Sequence, residues 1–301
     1  MRHLRLFGAA LCVAFPAAAG ADPAPVKAAA PQSAVEQLMA ADTGYSAAGA
    51  NVNLIDAIGA MFDEAVIMPL PTATFAKGKP EALAALARNP ANATSKASWA
   101  PVRAGISADG QHGFTYGFMT ITEPGKPDRR AKYLAYWVHR PAGWKVALYK
   151  RGGSGAGEVQ TALRPPAVPP AQVAAVTDDA AVAVHRASLA AREKRFSDRA
   201  QDVGLGQAFR EFGSADAMNM GGKPDFTYGN EAIAADMPPD AKSPVVWAAD
   251  EGVLVASSGD LGVTWGFIRF NAPQPGQPAA IPFFTVWRRD SVDQAWRYVA
   301  E

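Results

Sequence analysis

Three long runs of aromatic and β-branched residues, over 97–107, 112–122 and 131–140, predict antiparallel strands. A fourth, over 143–150, follows a tight turn at Ala142-Gly143. In the second run, period-two alternation sets Phe114, Tyr116 and Phe118 on one face and Thr115, Gly117, Met119 and Ile121 on the other. Upstream the period changes to that of a helix. Ser33-Ala34-Val35-Glu36 reads as a capping box, so a helix is expected from Ala34 to about Gly49. Asn53 caps a shorter helix ending near Phe62, a short strand covers about 65–68, and Pro80 opens a third helix, where its missing N–H has no partner to lose. Helices first and a strand meander after them predict an α+β fold, with N-terminal helices covering one face of a curved antiparallel sheet.

The whole pattern then occurs again. Trp99 in "SKASWAPVRAGISADGQHGFTYGF" is echoed by Trp247 in "KSPVVWAADEGVLVASSGDLGVTWGF". "YLAYWVHRPAGWKVALY" answers "FFTVWRRDSVDQAWRYVA", pairing Trp137 with Trp287 and Trp144 with Trp296. Upstream, Gly78 pairs with Gly229, Glu81 with Glu231 and Phe62 with Phe212. The offset stays near 150 residues and the order is kept throughout, which marks a duplicated domain. The mid-strand glycine recurs as Gly266 beside Trp265, and suggests a bulge or sharp curl in both copies. The copies are expected over 33–150 and 177–301, with 151–176 as a Gly/Ser-rich, then Pro-rich, linker.

Composition narrows the setting. Charged residues are 19% of the chain and the formal net charge is +1, with no basic run of five or more residues, so a nucleic-acid partner is not expected. Arg2 and Arg5 precede an apolar stretch from Leu6 to Ala19 and then small residues, the layout of a secretory signal peptide over 1–21, with a leader over 22–32. Cleavage after Ala19 or Ala21 would leave a secreted or periplasmic protein. No segment is long enough for a membrane span. The single cysteine, Cys12, lies in that signal, so the mature chain is expected to have no disulfide and no thiolate chemistry.

The element order, with "FDEAVIM", "GKPEAL", "DGQHGFTYG", "WVHRPAGWKV" and the second copy's "GDLGVTWGF", resembles the NTF2-like superfamily, more narrowly its SnoaL-like or DUF4440 branch. The resemblance implies two tandem cone-shaped domains, each enclosing a pocket, and sheets that pair, so that the copies could dock as a pseudo-dimer within one chain. It also implies where isomerase-like chemistry would sit: a carboxylate just after the second helix as base, and a tyrosine of the first helix as donor. The base positions fall near Met68 or Pro69 and near Met218 or Asn219, none of which can accept a proton, while Tyr45 stands at the donor position and Phe196 replaces it in the second copy.

The expected function is therefore non-catalytic binding of a small, largely apolar molecule. Its pockets would draw on Tyr45, Met68, Trp99, Tyr116, Trp137 and His139 in the first copy, and on Met218, Trp247, Trp265, Trp287 and Arg289 in the second. The alternative is an isomerase, cyclase or hydratase confined to the first copy, with Tyr45 and His139 in the acid–base roles. Adjacent Asp63 and Glu64 read as solvated turn residues. His112 and His185 lack metal-ligand partners at usable spacing, and the scattered methionines read as core filling, so no metal and no cofactor are expected.

Overall fold

The computed structural model describes residues 30–301; the expected signal peptide, and most of the leader behind it, lie outside the described residues. The first unit comprises α1 (Pro31–Gly49), α2 (Leu54–Met61), β1 (Phe62–Leu70), β2 (Thr74–Lys77), α3 (Lys79–Ala87) and the strands β3 (Lys96–Ile106), β4 (His112–Thr122), β5 (Arg129–Arg140) and β6 (Gly143–Gly153). The second repeats the order: α4 (Asp179–Val203), α5 (Leu205–Phe212), β7 (Gly213–Asn219), β8 (Thr227–Tyr228), α6 (Asn230–Ala235), β9 (Val245–Val255), β10 (Leu261–Phe270), β11 (Ile281–Arg288) and β12 (Arg297–Ala300). Each unit builds one six-stranded sheet, in the orders β2-β1-β6-β5-β4-β3 and β8-β7-β12-β11-β10-β9. The four long strands are antiparallel as expected, but each sheet is mixed, because β1 runs parallel to β6 and β7 to β12.

Local signals account for most element ends. The Asn53 side chain accepts the Asp56 amide at 3.0 Å, capping α2. The first helix starts earlier than the capping box suggests: Pro31 occupies its first turn, and Ser33 lies inside the helix, accepting from Gln37. The hairpin strand β2 was not anticipated.

The repeated glycine performs the expected task. Opposite Gly117, β3 carries an extra residue, Val102, between the Pro101–Gly117 and Arg103–Tyr116 pairs. A Cβ at Gly117 would lie 2.1 Å from the Ala100 carbonyl oxygen. Opposite Gly266, residues 249–251 bulge from β9, and a Cβ there would lie 2.0 Å from the Ala248 oxygen. The bulges bend each sheet around its helices.

Helices cover one face of each sheet, and the other two faces meet. Phe114, Tyr116 and Phe118 of the first unit share one apolar core with Val263, Phe284 and Val286 of the second. Tyr116 and Phe118 pack on Phe226, with ring centroids 5.2 and 4.9 Å apart. Polar ties are reciprocal at one end: Asp109 accepts from the Ser257 hydroxyl at 2.7 Å and the Ser258 amide at 3.1 Å, while Asp260 accepts from the Ala108 amide at 2.9 Å. Arg103 donates to the Pro165 carbonyl at 3.0 Å and the Asp216 carbonyl at 2.8 Å, and pairs with the Asp216 carboxylate. The Lys132 ammonium is caged by the carbonyls of Met220, Gly221, Lys223 and Asp225.

The Pro-rich end of the segment that links the units lies along β3. The amides of Arg164 and Ala167 donate to Val102 and Ala104 at 2.8 and 2.9 Å, and the Ile106 amide donates back to Ala167 at 3.0 Å. These bonds cover the outer edge of β3, which would otherwise expose unpaired backbone groups. Proline suits this place because an edge partner needs only some of its N–H groups.

Candidate functional site

The inner face of each unit is organised around a buried carboxylate that the sequence reading did not single out. In the first unit Asp42, on α1, accepts from the Trp99 indole at 2.7 Å and the Tyr133 hydroxyl at 2.8 Å. In the second, Glu193 on α4 accepts from the Trp247 indole at 2.6 Å, the Trp287 indole at 3.0 Å and the Thr264 hydroxyl at 2.5 Å. One helical turn on, the Ser46 and Ser197 hydroxyls accept the amides of Trp99 and Trp247 at 2.7 and 3.0 Å. Burial raises the pKa of both acids, against the hydrogen bonds that favour the ionised form, and pushes Glu193 up to about 7. The signal was present in the repeat: Leu38-Asp42-Ser46 and Leu189-Glu193-Ser197 are the same four-residue ladder on the inner helix face.

Beyond that anchor the two units diverge. In the first, the core contains Tyr133 and Tyr149. The corresponding positions in the second unit are Phe283 and Glu301, and there the helices and sheet line an open-mouthed chamber of about 190 Å³. Phe196 of α4 and Leu205 and Phe209 of α5 form one wall; Trp247 of β9, Ile268 of β10, and Phe283 and Thr285 of β11 form another. Val245, Met237, Asn219 and Glu301 complete it. Through Asn219 and Met237 it adjoins a second hollow of about 310 Å³, more polar, that includes Lys223, Thr227 and Asp236. Helix α5 supplies the wall because Leu205, Ala208, Phe209 and Phe212, spaced three and four apart, bury the same face.

Glu301 is the unusual member of this lining. Its backbone extends the pairing of β12 with β7, since its amide donates to Met218 at 2.9 Å and its carbonyl accepts from Met220 at 2.8 Å. Its Oε2 is buried and has no hydrogen-bond partner in the protein. Burial raises its pKa, opposed by the charge of Lys150, which reaches across from the first unit. Burial lowers Lys150 in turn to about 8; its ammonium lies over the Phe284 ring, 4.8 Å from the centroid.

Of the residues expected to line a pocket, only Trp247 lines this chamber. Tyr116, Trp265 and Met218 face the seam between the sheets instead, because the period-two alternation that carries them there belongs to the face opposite the helices. Met68, Trp99 and Trp137 are packed in the first unit's core, and Trp287 lies behind the chamber, bonded to Glu193. Tyr45 is half-buried, stacked on Trp137 with centroids 6.0 Å apart, and donates to the Trp144 carbonyl at 3.1 Å. His139 is exposed at the end of β5, edge-on to Trp144 at 5.0 Å. Tyr45 and His139 both lie against Trp144, and neither lines the chamber of the second unit. Arg289 is buried and engaged, donating to the Gly259 and Val292 carbonyls at 2.6 and 2.7 Å and lying over Trp296. Asp63 departs from the solvated reading too: it is buried, pairs with Arg140 at 2.7 Å and accepts the Ala65 amide at 3.0 Å, while Glu64 is exposed.

Among the described residues no group of three or more His, Cys, Asp or Glu side chains could hold a metal ion, and no helix is long and apolar enough to cross a membrane.

No family model and no curated protein matches the sequence. Solved structures do match it in shape. An NTF2-like protein with a cystatin-like fold from Novosphingobium aromaticivorans is 12% identical, with a TM-score of 0.31, over 42% of this chain and 84% of its own. An NTF2-like protein of unknown function from Shewanella oneidensis is 14% identical, with a TM-score of 0.30, over 40% of this chain and 98% of its own. A ketosteroid isomerase-like protein from Erwinia carotovora atroseptica is 16% identical, with a TM-score of 0.29, over 42% of this chain and 95% of its own. At such identities the likeness is one of fold alone. The chain is an α+β protein of two sequence-related units, each with a six-stranded mixed sheet, and its structural neighbours are NTF2-like.

Proposed function

We propose that this protein binds a small, largely apolar molecule in the chamber of the second unit and performs no chemistry on it. The observation that carries this reading is the chamber itself: about 190 Å³ of space walled by Phe196, Leu205, Phe209, Trp247, Ile268 and Phe283, in a unit whose twin fills the equivalent region with tyrosine. An apolar cavity of about 150 Å³ accommodates benzene, so a single ring with a short substituent is the matching size. Calorimetric titration of the full chain with benzyl alcohol tests it. One saturable site is expected, lost on Val245→Trp, which places an indole in the chamber. Absence of binding to the unaltered protein, or unchanged binding to that variant, contradicts the reading.

The proposal includes export. Its support is the order of Arg2, Arg5, the apolar Leu6–Ala19 stretch and the small residues after it. N-terminal sequencing of protein released by osmotic shock should begin at Gly20 or Asp22; recovery only of cytoplasmic protein starting at Met1 contradicts export.

A further inference from the structure

Helix α4 carries a stripe of charge that its counterpart in the first unit lacks. Arg192, Arg195 and Arg199 stand three and four residues apart on one side of the helix, and with Glu211 and Phe212 of α5 they line an open hollow of about 410 Å³. The equivalent positions of α1 are Ala41, Gly44 and Ala48, so the arginines are no part of the shared scaffold. Arg192 is fixed at two points. Its Nε donates to the Trp296 carbonyl at 2.8 Å, and its guanidinium lies over the Phe212 ring, 3.8 Å from the centroid. Its two terminal nitrogens have no hydrogen-bond partner among the described residues, although each is a donor. Arg297 approaches from the start of β12, its Nη1 donating to the Glu211 and Gly213 carbonyls at 3.2 and 3.1 Å.

Among the described residues no carboxylate pairs with Arg192, Arg195 or Arg297; burial and the charges of the other two lower the Arg192 pKa to about 10. The acids of the hollow are committed elsewhere. Glu211 is held by Arg199 at 2.8 and 2.9 Å and by Gln207 at 2.9 Å, and Asp198 pairs with Lys194 at 2.6 Å. Asp202 acts on Arg199 and lies about 15 Å along the helix from Arg192. Like charges gathered around a fixed guanidinium repel one another, and an anion among them removes that cost. A carboxylate brings one negative charge. A phosphate monoester brings nearly two, with three acceptor oxygens, enough for all three arginines. We infer that the hollow between α4 and α5 binds the phosphate group of a small soluble phosphomonoester, held by the terminal nitrogens of Arg192 together with Arg195 and Arg297. Asp198 and Asp202, which also line the hollow, oppose a broad anionic surface such as a membrane more than one small group. The site shares no lining residue with the chamber of the second unit and does not depend on it.

The test titrates methyl phosphate and acetate calorimetrically into the full chain at pH 8 and low salt, in a buffer free of phosphate; neither probe carries a ring that could enter the chamber. Methyl phosphate should fill one saturable site and bind at least tenfold more tightly than acetate. Arg192→Gln should weaken it by tenfold or more, the scale of one charge-assisted hydrogen bond, and Arg195→Gln, at an exposed position, by threefold or more. Arg210→Gln removes an arginine of α5 outside the hollow and should leave binding unchanged, which separates this site from the net charge of the protein. Should Arg192→Gln not fold, the contrast between Arg195→Gln and Arg210→Gln decides. Absence of saturable binding overturns the inference, as does equal affinity for the two anions or equal weakening by every variant. Retention of the protein on phosphatidic acid vesicles without binding of methyl phosphate overturns it too.

Discussion

The indole N–H of Trp247 donates to the Glu193 carboxylate at 2.6 Å, locking a helix of the second unit to the edge strand of its sheet. Trp287 and Thr264 donate to the same group, so one acid gathers three buried donors. Glu193→Leu strands the Trp247 indole and leaves Trp287 and Thr264 only their second acceptors, the Thr264 hydroxyl at 3.0 Å and the Thr285 carbonyl at 3.4 Å, and should destabilise the protein by about 3 kcal/mol; Glu193→Gln keeps an acceptor and should cost only about 1 kcal/mol. Urea unfolding monitored by tryptophan fluorescence separates the two. Equal effects would mean that the carboxyl fills space and nothing more.

The same acid makes stability depend on pH. Its folded-state pKa, about 7, lies above the ordinary glutamate value of 4.5, so the folded protein holds this proton more tightly than the unfolded chain. The contribution is complete below the unfolded value and is lost as pH rises through the folded one, by an amount on the order of 3 kcal/mol. Other buried groups titrate as well, and the comparison with Glu193→Gln isolates this one. The stability of the unaltered protein relative to that variant should fall steadily from pH 5 to pH 8. A difference independent of pH would show that Glu193 does not change charge in that range.

His112 offers a titration of the opposite sense. Burial holds its pKa down to about 4, aided by the positive charge of Arg140 and opposed by Asp109. Its Nδ1 lies 2.9 Å from the Tyr136 hydroxyl. The imidazole resonances of His112 should therefore stay those of the neutral ring down to about pH 5, whereas an ordinary histidine titrates near 6.5. A midpoint near 6.5 would mean that the ring is solvated.

Glycine substitutions should separate backbone crowding from helix propensity. Gly117→Ala and Gly266→Ala push a methyl onto a carbonyl oxygen of the neighbouring strand, and each should destabilise by about 2 kcal/mol or more. Gly44→Ala, on α1 with no atom within 4 Å of the added carbon, should stabilise by about 0.5–1 kcal/mol. Thermal unfolding of the three variants checks both signs, and a neutral Gly117→Ala would count against the bulge as the reason for glycine there.

Much of this architecture was legible in the chain. The repeat, the four long strands and the bulge at the mid-strand glycine followed from period-two alternation and from comparing two copies of one pattern. The chamber did not. Its wall depends on Tyr149 and Tyr133 in one copy being Glu301 and Phe283 in the other, a difference that has meaning only once the inner face is known. Large aromatics drew the reading toward Tyr116 and Trp265, yet aromatic residues fill a seam between sheets as readily as a pocket, and residue type alone does not tell the faces apart. Asp42 and Glu193 passed unnoticed because a lone acid in a helix is ordinarily a solvated residue. That the linking segment lies along β3 is not legible in the chain, because proline and glycine describe local freedom and say nothing of what the segment lies against.

The account stands on the chamber of the second unit being the binding site, and the protein carries its own control. Trp247 lines that chamber, and Trp99, its counterpart, is packed in the first unit's core. In a protein labelled with nitrogen-15 at the indole positions, benzyl alcohol should shift the Trp247 resonance saturably while that of Trp99 stays fixed. A Trp247 signal that does not move at saturating probe, or a Trp99 signal that moves instead, would contradict it.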